Sequence, residues 1–377
     1  MNEFIVTATR SMCSYASRVA EQLAKFPSFT SFADSINGVG LLSTRCFADG
    51  EMEVVVNSSI RGKNVILFAS CARNEAKIDT SEAKIELYHA VDALKRSQAE
   101  KIIVFEPFVS CSRSDRNVRR SSVGLWMHFN TLRSVGVDQI VTYQLHSDKS
   151  KSMVDPTLCA IDDIPALTLL KRYLCDVYIK TIDFLEKEVR SNWAFCSVDA
   201  GGEKLARGFA NAFGAPLVVA HKQRDYSKEN SVDSVNILSA APLKDKVLWI
   251  VDDMVDTAAS VEMLILALEE FHPAEVNLLA VHAVFSPPAA TRLNALIERG
   301  SLNRIMVTDT VNGGLQVGGP SPLSGADQEL IRNLEVVPSS VLSAKVINTI
   351  ISNNSMDKLL RDFNAEIYLK SPKLFNR

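Results

Sequence analysis

Residues 251–260 of the chain are Val-Asp-Asp-Met-Val-Asp-Thr-Ala-Ala-Ser. They follow the apolar segment Lys246–Val251 and precede a helix-like run, Val261–Glu270. This order predicts a strand, a short loop and a helix, with carboxylates and backbone amides gathered at the carboxyl end of the strand. Carboxylates accept hydrogen bonds from sugar hydroxyls, and amides at a helix start bind phosphate, so the stretch suits a sugar phosphate. The alternative is a solvated turn in which Asp256 is the N-cap of the helix.

The size and composition of the chain exclude several function classes. Its 377 residues are enough for two ordinary domains, and an apolar content of 47% supports substantial cores. A formal net charge of −3 gives no electrostatic basis for broad nucleic-acid binding. The sequence contains neither an apolar run of membrane-spanning length nor a secretory signal, so no membrane partner is expected. Seven scattered cysteines without a Cys-x-x-Cys pair are typical of reduced thiols in a cytoplasmic protein.

Short β-rich runs alternate with amphipathic helical runs, which predicts an α/β fold with mainly parallel sheets. The expected strands are 54–56, 65–69, 101–105, 139–143, 194–198, 217–220, 235–238, 247–251, 276–281 and 304–307. The expected helices are 79–97, 122–135, 165–188, 261–271 and 339–352, with a shorter helix ending before Gly214.

Two duplicated domains are indicated by a repeated helix–turn–strand order in 90–105 and 264–281. Prolines at 156 and 165 favour a boundary near 155–165 because the residue before a proline avoids helical backbone. We therefore expect an N-terminal domain over 1–163, joined by C-terminal helices within 336–377, and a C-terminal domain over 164–335. Residues 311–326 hold most of the late glycines and prolines and are expected to form a loop.

Several polar segments lie next to the expected strands. Residues 107–120 follow strand 101–105 and contain four arginines, whose forked donors can bind polyphosphate. His146 follows strand 139–143, at the strand end where ligands gather in open α/β sheets. By itself, the arginine segment is better interpreted as a solvated basic loop, whereas a structural and a functional role are equally good interpretations of His146.

Three shorter segments add candidate binding groups. Asp199-Ala200-Gly201-Gly202 can form an anion-binding nest, and Asp199 suits a hard cation such as Mg²⁺. Residues 221–224 place Lys222 and Arg224 after strand 217–220. Residues 47–51 are Phe-Ala-Asp-Gly-Glu, in which Asp-Gly is first of all a turn signal. A glycine turn, an ordinary surface Lys-x-Arg pair and a plain hairpin turn are the alternatives.

In chain order, these segments resemble the motifs of ribose-phosphate diphosphokinases, also called phosphoribosyl pyrophosphate synthetases, over roughly residues 44–309. Residues 251–260 also resemble the phosphoribosyl-diphosphate motif of type I phosphoribosyltransferases. The resemblance implies two tandem type I phosphoribosyltransferase-like domains, each a mainly parallel twisted sheet flanked by helices. It implies transfer of the diphosphoryl group of Mg-ATP to the 1-hydroxyl of ribose 5-phosphate, giving 5-phosphoribosyl 1-diphosphate and AMP. It further implies a homo-oligomer built from dimers, with a hexamer usual in the family.

The resemblance also assigns roles to individual residues. Ribose 5-phosphate is bound by Asp252, Asp253, Asp256, Thr257, Ala258, Ala259 and Ser260, and the diphosphate loop comprises Asp199, Ala200, Gly201 and Gly202. Lys222 and Arg224 are the catalytic residues. ATP is bound by Phe47, Asp49, Glu51, Arg113, Asp115 and His146, with the Phe47 turn reaching the adenine pocket of a neighbouring subunit. His146 and Asp199 are the Mg²⁺ ligands.

Three departures from the family pattern leave alternatives open. Ser114 replaces a glutamine, Gln144 replaces an aspartate, and Ala259 replaces a glycine that could take positive φ and let a phosphate approach closely. These changes are the basis of a second hypothesis, a non-catalytic paralogue that binds or regulates a true synthetase, whereas an active diphosphokinase remains the first. A nucleobase phosphoribosyltransferase shares the Asp-Asp…Asp-Thr motif, but one such domain would suffice for it, and the N-terminal half would have no role.

Overall fold

The computed structural model describes residues 4–26, 40–117, 120–223, 234–311 and 331–371. The chain divides into two compact units. The first contains the described residues of Met1–Pro165, Thr310–Gly314 and Ser339–Leu360. The second contains those of Ala166–Asp309, Leu315–Pro338 and Arg361–Arg377. None of the described helices has the length and apolar character needed to cross a bilayer.

The first unit is built on a five-stranded parallel sheet in the order β1-β4-β5-β6-β7. Its strands are β1 (Phe4–Ala8), β4 (Asn64–Phe68), β5 (Lys101–Phe105), β6 (Gln139–Tyr143) and β7 (Ala160–Ile164), and β2 (Leu42–Cys46) and β3 (Met52–Val56) form a separate antiparallel ribbon. Its helices are α1 (Cys13–Leu23), α2 (Thr80–Arg96), α3 (Gly124–Val135), α10 (Ser340–Ile351) and α11 (Asp357–Leu360). The central strands are buried along their length, which explains their almost uninterrupted apolar sequences.

The second unit is built on a seven-stranded sheet in the order β10-β9-β8-β11-β12-β13-β14. Its strands are β8 (Trp193–Ser197), β9 (Leu217–Gln223), β10 (Ser234–Ser239), β11 (Val247–Val255), β12 (Glu275–Ala283), β13 (Arg304–Thr308) and β14 (Leu334–Val337). The β9–β10 pair is antiparallel and the other pairs are parallel. Its helices are α4 (Leu167–Tyr173), α5 (Ile182–Phe184), α6 (Arg190–Asn192), α7 (Glu203–Phe213), α8 (Ala259–Leu268), α9 (Ala289–Glu298) and α12 (Ala365–Lys370).

The α/β class with parallel sheets flanked by helices, expected from the sequence, is confirmed. Four strands were missed: β1, β2, β7 and β14. β7 is an edge strand whose Asp162 and Asp163 break the apolar pattern that marks the central strands. The helix expected over 165–188 is divided into α4, a π-helical turn at Leu174–Ile179 and shorter pieces.

The C-terminal segment is shared between the two units. α10 packs on α1 in the first unit, where the Tyr15 hydroxyl lies 2.7 Å from the Oγ atoms of both Ser339 and Ser343. α12 belongs to the second unit, where Phe363 and Tyr368 are buried. The expectation that helices across all of 336–377 join the first domain is therefore wrong beyond Leu360. Residues 312–326 of the expected loop lie outside the described part of the chain.

Candidate active site

The adjacent carboxylates of Asp252 and Asp253 lie within β11. Pairing of β11 with β8 ends at Val251 and Ser197, whereas pairing with β12 continues to Val255. The expectation that the strand ends at Val251 is therefore wrong, because β12 supports four further residues of extended backbone. β8 lies on the opposite side of β11 from β12, and its last paired residue is Ser197, opposite Val251. Asp252 and Asp253 therefore extend beyond β8, at the carboxyl edge of the sheet.

Negative charge is concentrated around Asp252. The Asp253 amide donates a 2.9 Å hydrogen bond to Asp252 Oδ1, and the Asp253 side chain is buried. Burial, the neighbouring Asp253 carboxylate and the more distant Asp199 carboxylate hold the pKa of Asp252 well above its usual range. Asp252 is partly accessible to solvent even though protein atoms surround most of its carboxylate. The three carboxylates therefore form a site that a cation or hydroxyl donors would stabilise.

A tight turn links β11 to the start of α8. Ala258 has φ of 60°, in the left-handed region, and no side chain caps the helix. The alternative in which Asp256 is the N-cap is therefore wrong, and the helix begins at Ala259 rather than at the expected Val261. The left-handed backbone is at Ala258. The family motif has its glycine at the position of Ala259, but Ala259 is already helical.

The start of α8 has the features of a phosphate site. The amides of its first turn have no acceptors within the helix, and the helix dipole favours an anion at this end. Arg292 on α9 positions the preceding turn, because its Nη1 donates to the Thr257 carbonyl at 3.0 Å. The same guanidinium pairs with Glu262 at 3.1 Å. Sequence reasoning missed Arg292, and a lone arginine on a helix gives no signal for this role.

The loop after β8 is folded around the Asp199 carboxylate. Asp199 Oδ1 accepts a 2.9 Å hydrogen bond from the Gly202 amide, just before α7 begins. A Cβ atom at Gly201 would lie 3.1 Å from that same oxygen, so glycine is required for close approach. Neither glycine has positive φ, so the alternating backbone of an anion nest, expected from the sequence, is absent from this loop. Asp199, Ala200 and Gly201 are exposed.

Lys222, one of the two proposed catalytic residues, lies near the end of β9. Lys222 pairs through its backbone with Val235 of β10, so the strand continues beyond Ala220, where it was expected to stop. The side chain of Lys222 and the whole of residues 224–233, which include Arg224, lie outside the described part of the chain.

In the first unit, three proposed ATP-binding side chains lie on the β2–β3 turn. The Phe47 amide donates to the Glu51 carbonyl at 2.8 Å, and Gly50 has φ of 92°, which closes the turn. Phe47, Asp49 and Glu51 are exposed, and the Arg45 guanidinium lies 4.8 Å from the centroid of the Phe47 ring. A cavity of about 560 Å³ opens beside the turn, with Glu51, Ser81, Ile85 and His89 among its lining residues.

The loop that carries Arg113 and Asp115 is fixed to the start of α3. Ser114 Oγ accepts a 2.9 Å hydrogen bond from the Gly124 amide, and the Ser114 carbonyl accepts from Leu125 at 3.1 Å. Ser114, a departure from the family pattern, thus acts as a structural anchor. Arg113 is exposed and Asp115 is half-buried.

His146 is exposed after the end of β6. Gln144, two residues before His146, has φ of 44°, and its amide donates to the Ile164 carbonyl at 3.1 Å. The Leu145 amide donates to Asp163 Oδ1 at 3.0 Å, so the edge strand β7 positions the segment that leads to His146. Asp163 is a second positioning residue that sequence reasoning missed, because β7 itself was not foreseen.

Parallel sheets flanked by helices, and carboxylates beside a helix start at one sheet edge, define an α/β protein of the phosphoribosyltransferase type. The N-terminal domain of ribose phosphate pyrophosphokinase matches residues 5–136, and the phosphoribosyl transferase domain matches residues 176–294. The chain belongs to the ribose-phosphate pyrophosphokinase family.

Individual relatives align with most of the chain. A ribose-phosphate pyrophosphokinase of Campylobacter jejuni is 30% identical over 315 residues, which cover 83% of this chain and 88% of the relative. One from Neisseria meningitidis is 30% identical over 332 residues, which cover 87% and 89%. The crystal structure of phosphoribosylpyrophosphate synthetase from Mycobacterium smegmatis has the same fold, with a TM-score of 0.73 at 24% identity, covering 94% of this chain and 100% of that one.

Proposed function

We propose that this chain is a ribose-phosphate diphosphokinase, which transfers the diphosphoryl group of Mg-ATP to the 1-hydroxyl of ribose 5-phosphate. Alongside family membership, the proposal is supported above all by Asp199, Asp252 and Asp253, which interact at the sheet edge that leads to the start of α8. One edge of a single unit thus offers acceptors for sugar hydroxyls and amides for a phosphate.

Ribose 5-phosphate is assigned to the end of β11 and the turn after it. Asp252 and Asp253 accept hydrogen bonds from the ribose hydroxyls, which stabilises carboxylates that otherwise face one another. The 5-phosphate is held by Asp256, Thr257, Ala258, Ala259 and Ser260, mainly through backbone amides at the helix start. Arg292 keeps the turn in position through the Thr257 carbonyl.

Mg²⁺ fits the oxygen donors near the diphosphate loop. Asp199 supplies a carboxylate, the ligand type that Mg²⁺ prefers, and nearby Asp252 adds negative charge that favours a cation. We assign Asp199 to Mg²⁺ because this ion favours oxygen ligands. The resemblance to the family also assigns His146 of the first unit to Mg²⁺. When bound, Mg²⁺ would neutralise phosphate charge and orient the triphosphate.

In the reaction, the 1-hydroxyl oxygen of ribose forms a bond to the β-phosphorus of ATP, and its proton is released. The bond from the β-phosphorus to the oxygen bridging to the α-phosphorus breaks, and AMP leaves. Ala200, Gly201 and Gly202 hold the transferred diphosphate beside Asp199. Lys222 and Arg224 stabilise the negative charge that develops on the transferred group and the leaving oxygen, since such transfers depend on positioning and charge. Phe47, Asp49, Glu51, Arg113 and Asp115 bind the ATP.

The activity is tested with the purified chain, ribose 5-phosphate and Mg-ATP, by separating the nucleotides chromatographically. Formation of AMP together with 5-phosphoribosyl 1-diphosphate is the expected result. AMP that appears without the sugar diphosphate would contradict the assignment.

Replacing Lys222 by Ala is expected to lower turnover by about 10³-fold, by analogy with cationic residues in other phosphoryl transfers. The measurement is the rate of AMP release at saturating substrate. Lys204→Ala, which changes another lysine of the same unit, serves as the control. Equal turnover of Lys222→Ala and the parent protein would remove Lys222 from the mechanism.

A non-catalytic regulator of a synthetase is the second candidate. It is favoured by the left-handed backbone at Ala258 and by Ser114, which here caps α3. A chain that is inactive alone but raises the rate of a partner synthetase would support it. A nucleobase phosphoribosyltransferase would instead consume 5-phosphoribosyl 1-diphosphate when supplied with a purine or pyrimidine.

A homo-oligomer is also part of the proposal. The exposed Phe47 ring and Glu51 carboxylate on the β2–β3 turn fit an adenine site completed by a neighbouring copy of the chain. We expect a dimer-based assembly, up to a hexamer, which light scattering coupled to size-exclusion chromatography measures. A cytoplasmic location is proposed from the seven cysteines, all of which are free thiols.

A further inference from the structure

Three buried side chains meet in the first unit. Cys71 lies in the loop after β4, Glu106 directly follows β5, and His128 is on α3. Their potential ligand atoms all lie within 4.8 Å of one another. Cys71 and Glu106 have no exposed surface, and His128 is 1% exposed. Because β4 and β5 are parallel neighbours, the cluster lies at the carboxyl edge of the sheet.

The hydrogen bonds within this cluster leave one carboxylate oxygen unused. His128 Nε2 lies 2.7 Å from Glu106 Oε2, and His128 Nδ1 lies 2.9 Å from the Tyr88 hydroxyl. Glu106 Oε1 is buried and accepts no hydrogen bond from the described part of the chain. Burying a carboxylate oxygen without a partner is unfavourable, so a cation bound at this oxygen would be stabilising.

Thiolate, imidazole and carboxylate together are the ligands of Zn²⁺ and of similar transition-metal ions, whereas Mg²⁺ avoids sulfur. We propose that Cys71, Glu106 and His128 form a binding site for Zn²⁺, separate from the substrate sites. On binding, the Cys71 thiol releases its proton and forms a sulfur–zinc bond. His128 Nε2 becomes a ligand, and Nδ1–H then donates to the Tyr88 oxygen, the outer contact typical of metal-bound histidine.

The three ligand atoms lie within 4.8 Å of one another and must adjust their spacing to bind zinc. Tetrahedral zinc with bonds of about 2.0–2.3 Å places its nitrogen and oxygen ligands about 3.3 Å apart, so the 2.7 Å contact between His128 and Glu106 must open slightly. Three protein ligands leave the fourth position to water. Because the ligands are buried, the ion enters while the chain folds.

The ion would connect three segments that surround the proposed ATP loop. Glu106 stands at the start of the loop that carries Arg113 and Asp115, and His128 is on the helix that Ser114 caps. Cys71 would connect the loop after β4 to the same ion. Zinc would therefore stiffen the loop from both ends, without itself touching the reacting phosphates.

The test uses the full chain, refolded with Zn²⁺ or with Co²⁺, whose spectrum reports thiolate bonds. We expect about one tightly held ion per chain by elemental analysis, and a sulfur-to-cobalt charge-transfer band. The band is expected to disappear in Cys71→Ser and to persist in Cys159→Ser, which changes another buried cysteine of the same unit. It is also expected to persist in excess Mg²⁺. A protein that refolds without retaining an ion, or a band that survives Cys71→Ser, would overturn the proposal.

Tyr88→Phe provides a test that does not depend on the stability of Cys71→Ser. The substitution removes a hydroxyl but keeps the ring, and it is expected to lower zinc affinity about 10- to 100-fold. Competition with a chelator measures the affinity, while the cobalt band should remain because the ligands are intact. Affinity equal to that of the parent protein would contradict binding through His128 Nε2, because the outer hydrogen bond would then have no role.

Discussion

Two residues, one in β11 and one in the turn that follows it, are held in unfavourable states. Asp252 keeps a carboxylate beside Asp253 and near Asp199, and Ala258 takes a left-handed backbone despite its Cβ atom. Recognition of a sugar phosphate requires both closely spaced acceptors and a tight turn before the helix. Such local costs are common at functional sites, where stability is sacrificed for activity.

Asp252→Asn is therefore expected to stabilise the substrate-free protein while lowering its activity. Because the pKa of Asp252 is raised in the folded protein, its ionised carboxylate destabilises the fold at any pH above that folded-state pKa. As the pH falls from the folded-state pKa to the ordinary pKa of aspartate, this destabilisation decreases to zero. At pH 7 we expect a gain on the order of 1–3 kcal/mol in the free energy of unfolding.

Urea denaturation of both proteins at several pH values measures this effect. The advantage of Asp252→Asn should shrink as the pH is lowered, because Asp252 of the parent then becomes neutral too. If the stability advantage of Asp252→Asn over the parent protein grew as the pH fell, the raised pKa of Asp252 would be contradicted.

Ala258→Gly is expected to raise the free energy of unfolding by about 1 kcal/mol, because glycine takes positive φ without the Cβ clash. Ala259→Gly is the matched control. Ala259 is already helical, and glycine there is expected to lower stability by up to about 1 kcal/mol. Thermal and urea unfolding distinguish the two, and effects of the same sign would contradict the position of the left-handed residue.

At the level of elements, polar caps fix the ends of the helices that carry the candidate groups. Asp79 accepts hydrogen bonds from the Ser81 amide at 2.7 Å and the Glu82 amide at 2.9 Å, and so begins α2. Gly136, with φ of 112°, ends α3. These ends hold Tyr88 on α2 and His128 on α3 at the spacing that the buried cluster needs.

Asp79→Ala is expected to lower the free energy of unfolding by about 1 kcal/mol, because two amides at the start of α2 lose their acceptor. Asp92→Ala on the same helix is the control. Asp92 forms an exposed pair with Arg96, and such pairs contribute little. Equal losses in the two variants, measured by urea denaturation, would show that capping is not the cause.

Sequence patterns identify buried elements better than edges and turns. β5 and β6 agree with the expected bounds because their apolar runs end in polar residues. The predicted end of β11 was too early, because two adjacent aspartates are typical of a loop and the sequence does not show their pairing with β12. The cluster of Cys71, Glu106 and His128 was invisible, because the residues are far apart in sequence and only the parallel pairing of β4 and β5 brings two of them together. Likewise, sequence patterns contain no backbone angles and could not place the left-handed residue at Ala258.

At the level of the whole molecule, each unit is completed by a piece of the C-terminal segment. In the second unit, Phe363 lies 6.4 Å from Phe213 between ring centroids, and the Tyr368 hydroxyl donates to Asp176 at 2.9 Å. Arg190 also pairs with Glu366 at 2.8 Å. α12 therefore covers part of the core that α7 and the segment after α4 leave exposed.

Deleting residues 361–377 is expected to destabilise the second unit, since burial of an aromatic side chain such as Phe363 contributes about 1.5–3 kcal/mol. Trp193 and Trp249 are buried in that unit and report its unfolding by fluorescence. A Trp126→Phe background removes the tryptophan of the first unit. An unchanged fluorescence midpoint in the truncated protein would contradict this role for α12.

α10 belongs to the first unit but is synthesised after the strands of the second unit. Its Ser343 lies 2.6 Å from the Tyr143 hydroxyl as well as contacting Tyr15, so it covers two aromatic residues that leave the ribosome much earlier. Residues as far as Ile351 must be translated before this surface is covered. Until then, this surface of the nascent first unit is accessible to chaperones. If the ribosome stalled after the strands of the second unit, the first unit would remain without α10.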